Sequence, residues 1–201
     1  MCKRLSAVFL LVVGAALSLV AAGRYGTGWY RRDQIRQQWV AALARSDVAS
    51  ARALAESASD ASVSVGSPVA RLVIPRIELD EVVVEGVGSD ELNATPGHLP
   101  GSAIPGYRGN AVISAHRDRH FDRLGELQVG DTIETETRQQ RDRWVVVQRR
   151  VIDEHAPALF STPTPTLTLT TCWPIRFFGP APDRLIITAR PIAANSHTRA
   201  L

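Results

Sequence analysis

The sequence predicts an all-β domain, a closed or nearly closed β-barrel or sandwich, set behind an N-terminal helical segment. Three observations lead there. From about Val69 onward the chain falls into seven or eight short runs rich in Val, Ile, Leu and Thr, which suit a pleated, half-buried surface. Between those runs there are only short helical turns, punctuated by Pro and Gly. Ahead of them lie an uncharged apolar segment and a proline-free stretch of helical pattern.

Composition narrows the class. A chain of 201 residues allows one domain with accessories, and a hydrophobic content of 45% is that of a globular protein. The formal net charge is only +3, the arginines are dispersed, and no basic run alternates with aromatics, so nucleic acid is not an expected partner. The two cysteines, Cys2 and Cys172, are too few for a disulfide framework. Cys172 is then a single free thiol, which an exported protein carries for a reason.

Taken in order, residues 1–4 form a short tail containing Lys3 and Arg4. Leu5–Ala22 follows, eighteen residues without a charge, close to the roughly 20 that span a bilayer. We read it as a membrane anchor with a cytoplasmic N-terminus and the larger domain on the outer side. The arginines after the span (Arg24, Arg31, Arg32, Arg36) argue against that orientation, and the thiol chemistry argues for it. A cleaved signal peptide is the alternative. Gly26–Gly28 is expected to loosen the chain. Trp29 to about Ser57 reads as an amphipathic helix, either a stalk or an appendage packed on the domain. Ser57–Pro68, rich in Ser, Ala and Gly, reads as a linker, so that residues 23–67 make a helical stalk and linker.

The β domain is expected over 68–191. Apolar runs at Val69–Ile74 and Ile77–Glu85 are broken by Pro75-Arg76. Ser89–Leu92 offers a serine cap and one helical turn. Pro96–Gly109 reads as a long ordered loop. Asn110–Ala115 is a short strand running into His116-Arg117-Asp118. Phe121–Leu127 can form a helical turn, and Thr132–Thr137 with Arg143–Ile152 a hairpin. A loop, Asp153–Pro165, precedes the alternating run Thr166–Cys172, which stops at Trp173-Pro174 because proline cannot continue a strand's donor pattern. A Pro/Gly-rich loop and a last strand, Arg184–Arg190, follow, with a tail over 192–201.

Three polar groups fall at strand ends: His116, Cys172 and Arg184. A thiol at a strand end is either a small buried hydrophobe or a nucleophile. As a nucleophile it needs a neighbour that favours the thiolate, and attack on an amide carbonyl needs a fixed oxyanion donor. An imidazole can protonate the leaving amine, and arginine is an always-charged donor. The set therefore suffices for acyl transfer, although many barrels carry a histidine and an arginine at strand ends.

At these residues the sequence resembles the sortases, membrane-anchored cysteine transpeptidases. Thr168-Leu169-Thr170-Thr171-Cys172 matches their Thr-Leu-x-Thr-Cys signature, and Asp183-Arg184-Leu185 sits where the family has its arginine. Gly109–Arg117 is similar to the family's histidine segment, with Ala115 where glycine is common. Cys172-Trp173-Pro174 and Pro96–Gly101 resemble the class D-like sortases, especially the group from gram-negative bacteria.

The resemblance implies an eight-stranded sortase-type β-barrel. It also implies that Cys172 attacks the Thr–Gly or Thr–Ala bond of a Leu-Pro-x-Thr-type sorting signal, giving a thioacyl enzyme. Arg184 would bind the oxyanion, and His116 would act as general acid and then general base for an incoming amine. Partners would be a substrate protein bearing that signal, an amine acceptor on the cell envelope, and the membrane. No metal or organic cofactor is expected.

Other residues carry two readings each. Thr171, Trp173 and His98 are candidates for substrate contact, against strand packing, core capping and loop structure respectively. His120, four residues after His116, lacks a clear third metal ligand and reads as a solvated histidine. Asp118 either orients His116 or pairs with Arg117. Two rival functions stay open beside the transpeptidase: a thiol hydrolase of the same fold, and a non-catalytic membrane-tethered binding module.

Overall fold

The computed structural model describes residues 2–50, 63–155 and 162–192. One α-helix, α1 (Cys2–Ser50), leads into eight strands: β1 (Pro68–Ile74), β2 (Leu79–Glu85), β3 (Gly97–His98), β4 (Asn110–Ser114), β5 (Thr132–Glu136), β6 (Arg141–Asp153), β7 (Thr166–Trp173) and β8 (Asp183–Pro191). A short helix, α2 (Ser89–Ala94), joins β2 to β3. The strands close in the order β1-β2-β3-β4-β7-β8-β6-β5, and β5 pairs back onto β1. The expected all-β barrel is therefore present, closed among the described residues.

Two details depart from the sequence expectation. The loop Pro96–Gly109 contains β3, a two-residue bridge parallel to β2 and antiparallel to β4. It is too short to leave a periodic signal. Gly97 is required there because a Cβ would run into the carbonyl oxygen of Gly86. The cap of α2 is Gly88 rather than Ser89, which is already the first helical residue.

The chain does not loosen at Gly26–Gly28, since α1 runs through it. Each glycine costs a helix interior about 1 kcal/mol relative to alanine, and docking offsets this. A Cβ at Gly28 would sit 3.1 Å from the Asn93 carbonyl oxygen, so glycine lets α1 approach the end of α2. About two to four turns further on, Ile35, Trp39 and Leu43 form an i, i+4, i+8 stripe against Val82, Val84 and Ala94. Arg31 pairs with Glu91 at 3.4 Å, Arg32 with Glu81, and Arg36 donates to the Asp80 carbonyl at 2.6 Å. Of the two readings, the helix is thus an appendage packed on the domain. Among the described residues no helix is long and apolar enough to cross a membrane. The linker expected over Ser57–Pro68 lies partly outside the described residues, as does nearly all of the tail.

The core fills the barrel. Leu72, Ile74, Ile113, Phe121, Leu124, Trp144, Leu167, Leu169, Leu185 and Ile187 are all fully buried in one cluster, each contributing on the order of 1.5–3 kcal/mol. β7 is central and buried on both faces: Leu167 and Leu169 enter the core, while Thr166, Thr168 and Thr170 are buried on the other. This explains an alternation of leucine with a β-branched hydroxyl residue rather than with a charged one. The Thr168 hydroxyl donates to Asn110 Oδ1 at 2.8 Å, so the polar side of β7 is bonded to β4.

Candidate active site

The register of three adjacent strands assembles the site. β7 and β8 are antiparallel, and Cys172 stands directly opposite Arg184. Opposed residues in an antiparallel pair share a face, with Cβ atoms about 4.5–5.5 Å apart. β4 runs parallel to β7 on its other side, Asn110 beside Thr166 and Ser114 beside Thr170. Continued for two residues, the same register sets His116 beside Cys172. Ala111, Ile113 and Ala115 of this segment point into the core, as do Leu167 and Leu169 of β7 and Leu185 and Ile187 of β8. By alternation, His116, Cys172 and Arg184 all fall on the outer face. Cys172 and Arg184 are paired across β7 and β8, and His116 follows the end of the neighbouring strand β4.

All three are partly exposed, so the thiol is not a core hydrophobe. The backbone around His116 is fixed by two bonds to β7. Ala115 N–H donates to the Thr170 carbonyl at 3.3 Å, and the Ala115 carbonyl accepts from the Thr171 hydroxyl at 2.7 Å. Burial pushes the His116 pKa below the usual histidine value; Asp118 opposes this, while Arg119 and His120 reinforce it. A neutral imidazole beside a thiol is poised to accept its proton. The guanidinium across from the thiol offers N–H donors of permanent charge to an oxygen formed between them.

The Sortase domain family model matches residues 72–192, from β1 through the end of β8. The chain belongs to the sortase family. Sortase D of Bacillus subtilis (strain 168) is 32% identical over 123 residues, 60% of this chain and 62% of that protein. The chain thus spans less than two thirds of that relative's length. Among solved structures, sortase C-1 from Actinomyces oris is 29% identical with a TM-score of 0.57, covering 64% of this chain and 76% of that one. A sortase D5 transpeptidase of Clostridium perfringens superposes with a TM-score of 0.64 over 81% of this chain and 96% of that one. At 24% identity that likeness concerns the fold alone. The family was legible in the pentapeptide ending at Cys172.

Within this sortase barrel the three residues considered for substrate contact are held by the fold in different ways. His98 is 1% exposed; its Nδ1 lies 2.7 Å from Glu85 Oε2 and its Nε2 lies 2.9 Å from both the Ala103 carbonyl and Ser102 Oγ. With both nitrogens engaged and the ring buried, it ties the β3–β4 loop to β2. The Thr171 hydroxyl is buried and donates to the Ala115 carbonyl, which ties the histidine segment to β7. Trp173 packs against the core, with the Arg149 guanidinium 5.2 Å from its ring centroid. It caps the barrel on the face away from Cys172.

Two further expectations are corrected. His120 is not solvated: its side chain is 11% exposed, Nδ1 lies 3.5 Å from Glu81, and Nε2 is buried without a partner. It borders a cleft of about 560 Å³ between α1 and the barrel, lined by Arg32, Arg36, Glu81 and Arg119. Asp118 bonds neither His116 nor Arg117; it acts on His116 through charge alone. Glu85 and Ser102, the partners of His98, carried no motif. Only a buried carboxylate at the end of a strand could have pointed to them.

Proposed function

We propose that this sortase is a membrane-anchored cysteine transpeptidase that cleaves a Leu-Pro-x-Thr-type sorting signal and transfers the protein to an amine acceptor on the cell envelope. The observation that supports the reading is Cys172 opposite Arg184 on the β7–β8 ladder, with His116 just past the end of β4 on the other side of β7. His116 takes the Cys172 proton, and the thiolate sulfur attacks the threonine carbonyl carbon. The oxyanion develops against Arg184. Collapse of this tetrahedral species breaks the C–N bond, and the imidazolium returns its proton to the leaving amine. A thioacyl enzyme remains. The acceptor amine then attacks the thioester carbonyl, loses its proton to His116, and displaces the sulfur, which is reprotonated. A carboxylic amide bond is broken and another made, so no redox partner or cofactor enters.

Support for an anchor comes from the uncharged segment 5–22 and from the exposure of Leu11, Leu17, Leu19 and Val20 on α1. The N-terminus would be cytoplasmic and the barrel outside. Cys172-Trp173-Pro174 and Pro96–Gly101 support a class D-like sortase of the gram-negative type. The deciding experiment incubates the full chain with a fluorogenic Leu-Pro-x-Thr-Gly peptide, with and without an added amine. Cleavage with an amide product, lost in Cys172→Ala, is expected. Release of free acid only, at a rate indifferent to the amine, would favour the thiol hydrolase, and activity persisting in Cys172→Ala would sink the reading.

A further inference from the structure

The loop after the nucleophile has little of its own to hold it. Arg176, Phe177, Phe178, Gly179 and Pro180 are all exposed. Among the described residues no backbone–backbone hydrogen bond reaches Ile175–Ala181; the next tie is Glu154 N–H to the Pro182 carbonyl at 3.2 Å. Apolar burial holds its ends but not its middle: Ala181 is buried and Ile175 partly so, while Phe178 is fully exposed and Phe177 is 47% exposed. Yet a single side chain from another element gathers it. Arg117 Nη1 donates to the Pro174 carbonyl at 3.1 Å, and Nη2 donates to the carbonyls of Phe177 at 3.2 Å and Gly179 at 2.6 Å. Its guanidinium also lies 5.7 Å from the Phe177 ring centroid.

Arg117 directly follows His116. On the other side of His116, Ala115 is bonded through its N–H and its carbonyl to Thr170 and Thr171 of β7. The histidine is therefore bracketed: the residue before it is tied to the strand that leads to Cys172, and the residue after it is tied to the loop that leaves Cys172. We propose that Arg117 is a positioning residue that staples the histidine segment to the Pro174–Gly179 loop, so that His116 and the loop beyond the nucleophile move as one body. Its planar fork suits this work because it reaches three carbonyls at once, each bond charge-assisted. An ammonium, a point donor on a flexible stem, satisfies fewer of them. Its link to catalysis rests on the transpeptidase reading above, whereas the staple itself does not.

The test uses the full chain and two readouts. Arg176 lies inside the stapled loop and is followed by Phe177, so trypsin reports on loop release under native conditions, with the fragment ending at Arg176 identified by mass. Arg117→Gln is expected to speed that cut on the order of tenfold by raising the open population. It is also expected to lower kcat for the sorting-signal peptide about tenfold with a smaller change in KM, because misplacement of His116 acts on the chemical step. Arg117→Lys should fall between wild type and Gln in both assays. Phe177→Leu, which keeps the carbonyls and removes only the ring contact, should move clipping in the same direction by less, and guards against a Gln variant that fails to fold. An unchanged clipping rate in folded Arg117→Gln overturns the staple. Faster clipping with unaltered kcat overturns its positioning role. A wild-type chain that cleaves no sorting-signal peptide overturns only the functional reading, and the clipping rates then decide the staple.

Discussion

Cys172 and Arg184 face each other across the β7–β8 ladder, one thiol to one guanidinium on the outer face of the barrel. Register fixes this pairing, and a slip of one residue would turn Arg184 into the core and expel Leu185 and Ile187 from it. If the guanidinium serves the oxyanion, shape matters as well as charge. Arg184→Lys keeps the cation but shortens and rounds the donor, so kcat/KM should fall, and Arg184→Ala should lose about 10²–10³-fold, the usual scale for one oxyanion donor. Steady-state peptide cleavage measures both. Equal activity of the three proteins would remove Arg184 from the mechanism.

Thr171 should matter through the fold. Its hydroxyl is the donor for the buried Ala115 carbonyl at 2.7 Å. Thr171→Val keeps the β-branched shape and strands that carbonyl, with an expected loss of about 1–3 kcal/mol in urea unfolding. Thr171→Ser, which restores the donor, should recover much of it. A substrate-binding role would instead leave the unfolding midpoint in place and raise KM.

The same contrast applies to His98. Truncation to alanine leaves the Glu85 carboxylate buried without its 2.7 Å partner, which typically costs about 3–5 kcal/mol. Denaturant unfolding of His98→Ala and of the double variant His98→Ala/Glu85→Leu checks this. The double variant should be more stable than the single one, since it removes the uncompensated charge. A single variant as stable as wild type, with elevated KM, would return His98 to the substrate groove.

What could be read in the sequence follows from how local each signal was. The period-2 run ending at Cys172 needs only its own residues to be a strand, and proline after it sets its end. Seven strands and their turns were legible for the same reason. β3 was not, because two residues carry no period and its existence depends on Gly86 and Ser114 from elsewhere. The docking of α1 was left undecided for a similar reason. The Ile35–Trp39–Leu43 stripe says that something covers it, and only the barrel's own outer face, Val82 and Val84, says what. In the site, residue types predicted chemistry for Cys172, His116 and Arg184, which share a face. They could not separate Thr171, Trp173 and His98 from them, since nearness in sequence to a nucleophile or a glycine-rich loop is blind to which side of the sheet a side chain takes.

The pH dependence of His116 joins the site to stability. Burial holds its folded pKa below the ordinary value of 6.5, and the opposing pull of Asp118 is the only raising influence among its causes. Folding thus weakens proton binding at this residue. Above about pH 6.5 both folded and unfolded chains keep the imidazole neutral, and stability is fully present. As pH falls below that value the unfolded chain takes up the proton first, so stability declines, and the decline from this residue ends once pH has passed through the folded pKa. Histidine Cε1–H resonances, with His116→Gln used to assign the signal, should titrate with a midpoint under the usual histidine value. Asp118→Asn removes the one raising charge and should carry the midpoint lower still. The proposed mechanism needs the neutral imidazole to take the Cys172 proton, so the acidic limb of kcat/KM, on which His116 becomes protonated, should move to lower pH in that variant. A midpoint that rises in Asp118→Asn would mean that Asp118 orders the segment by contact and that its charge is not what His116 senses.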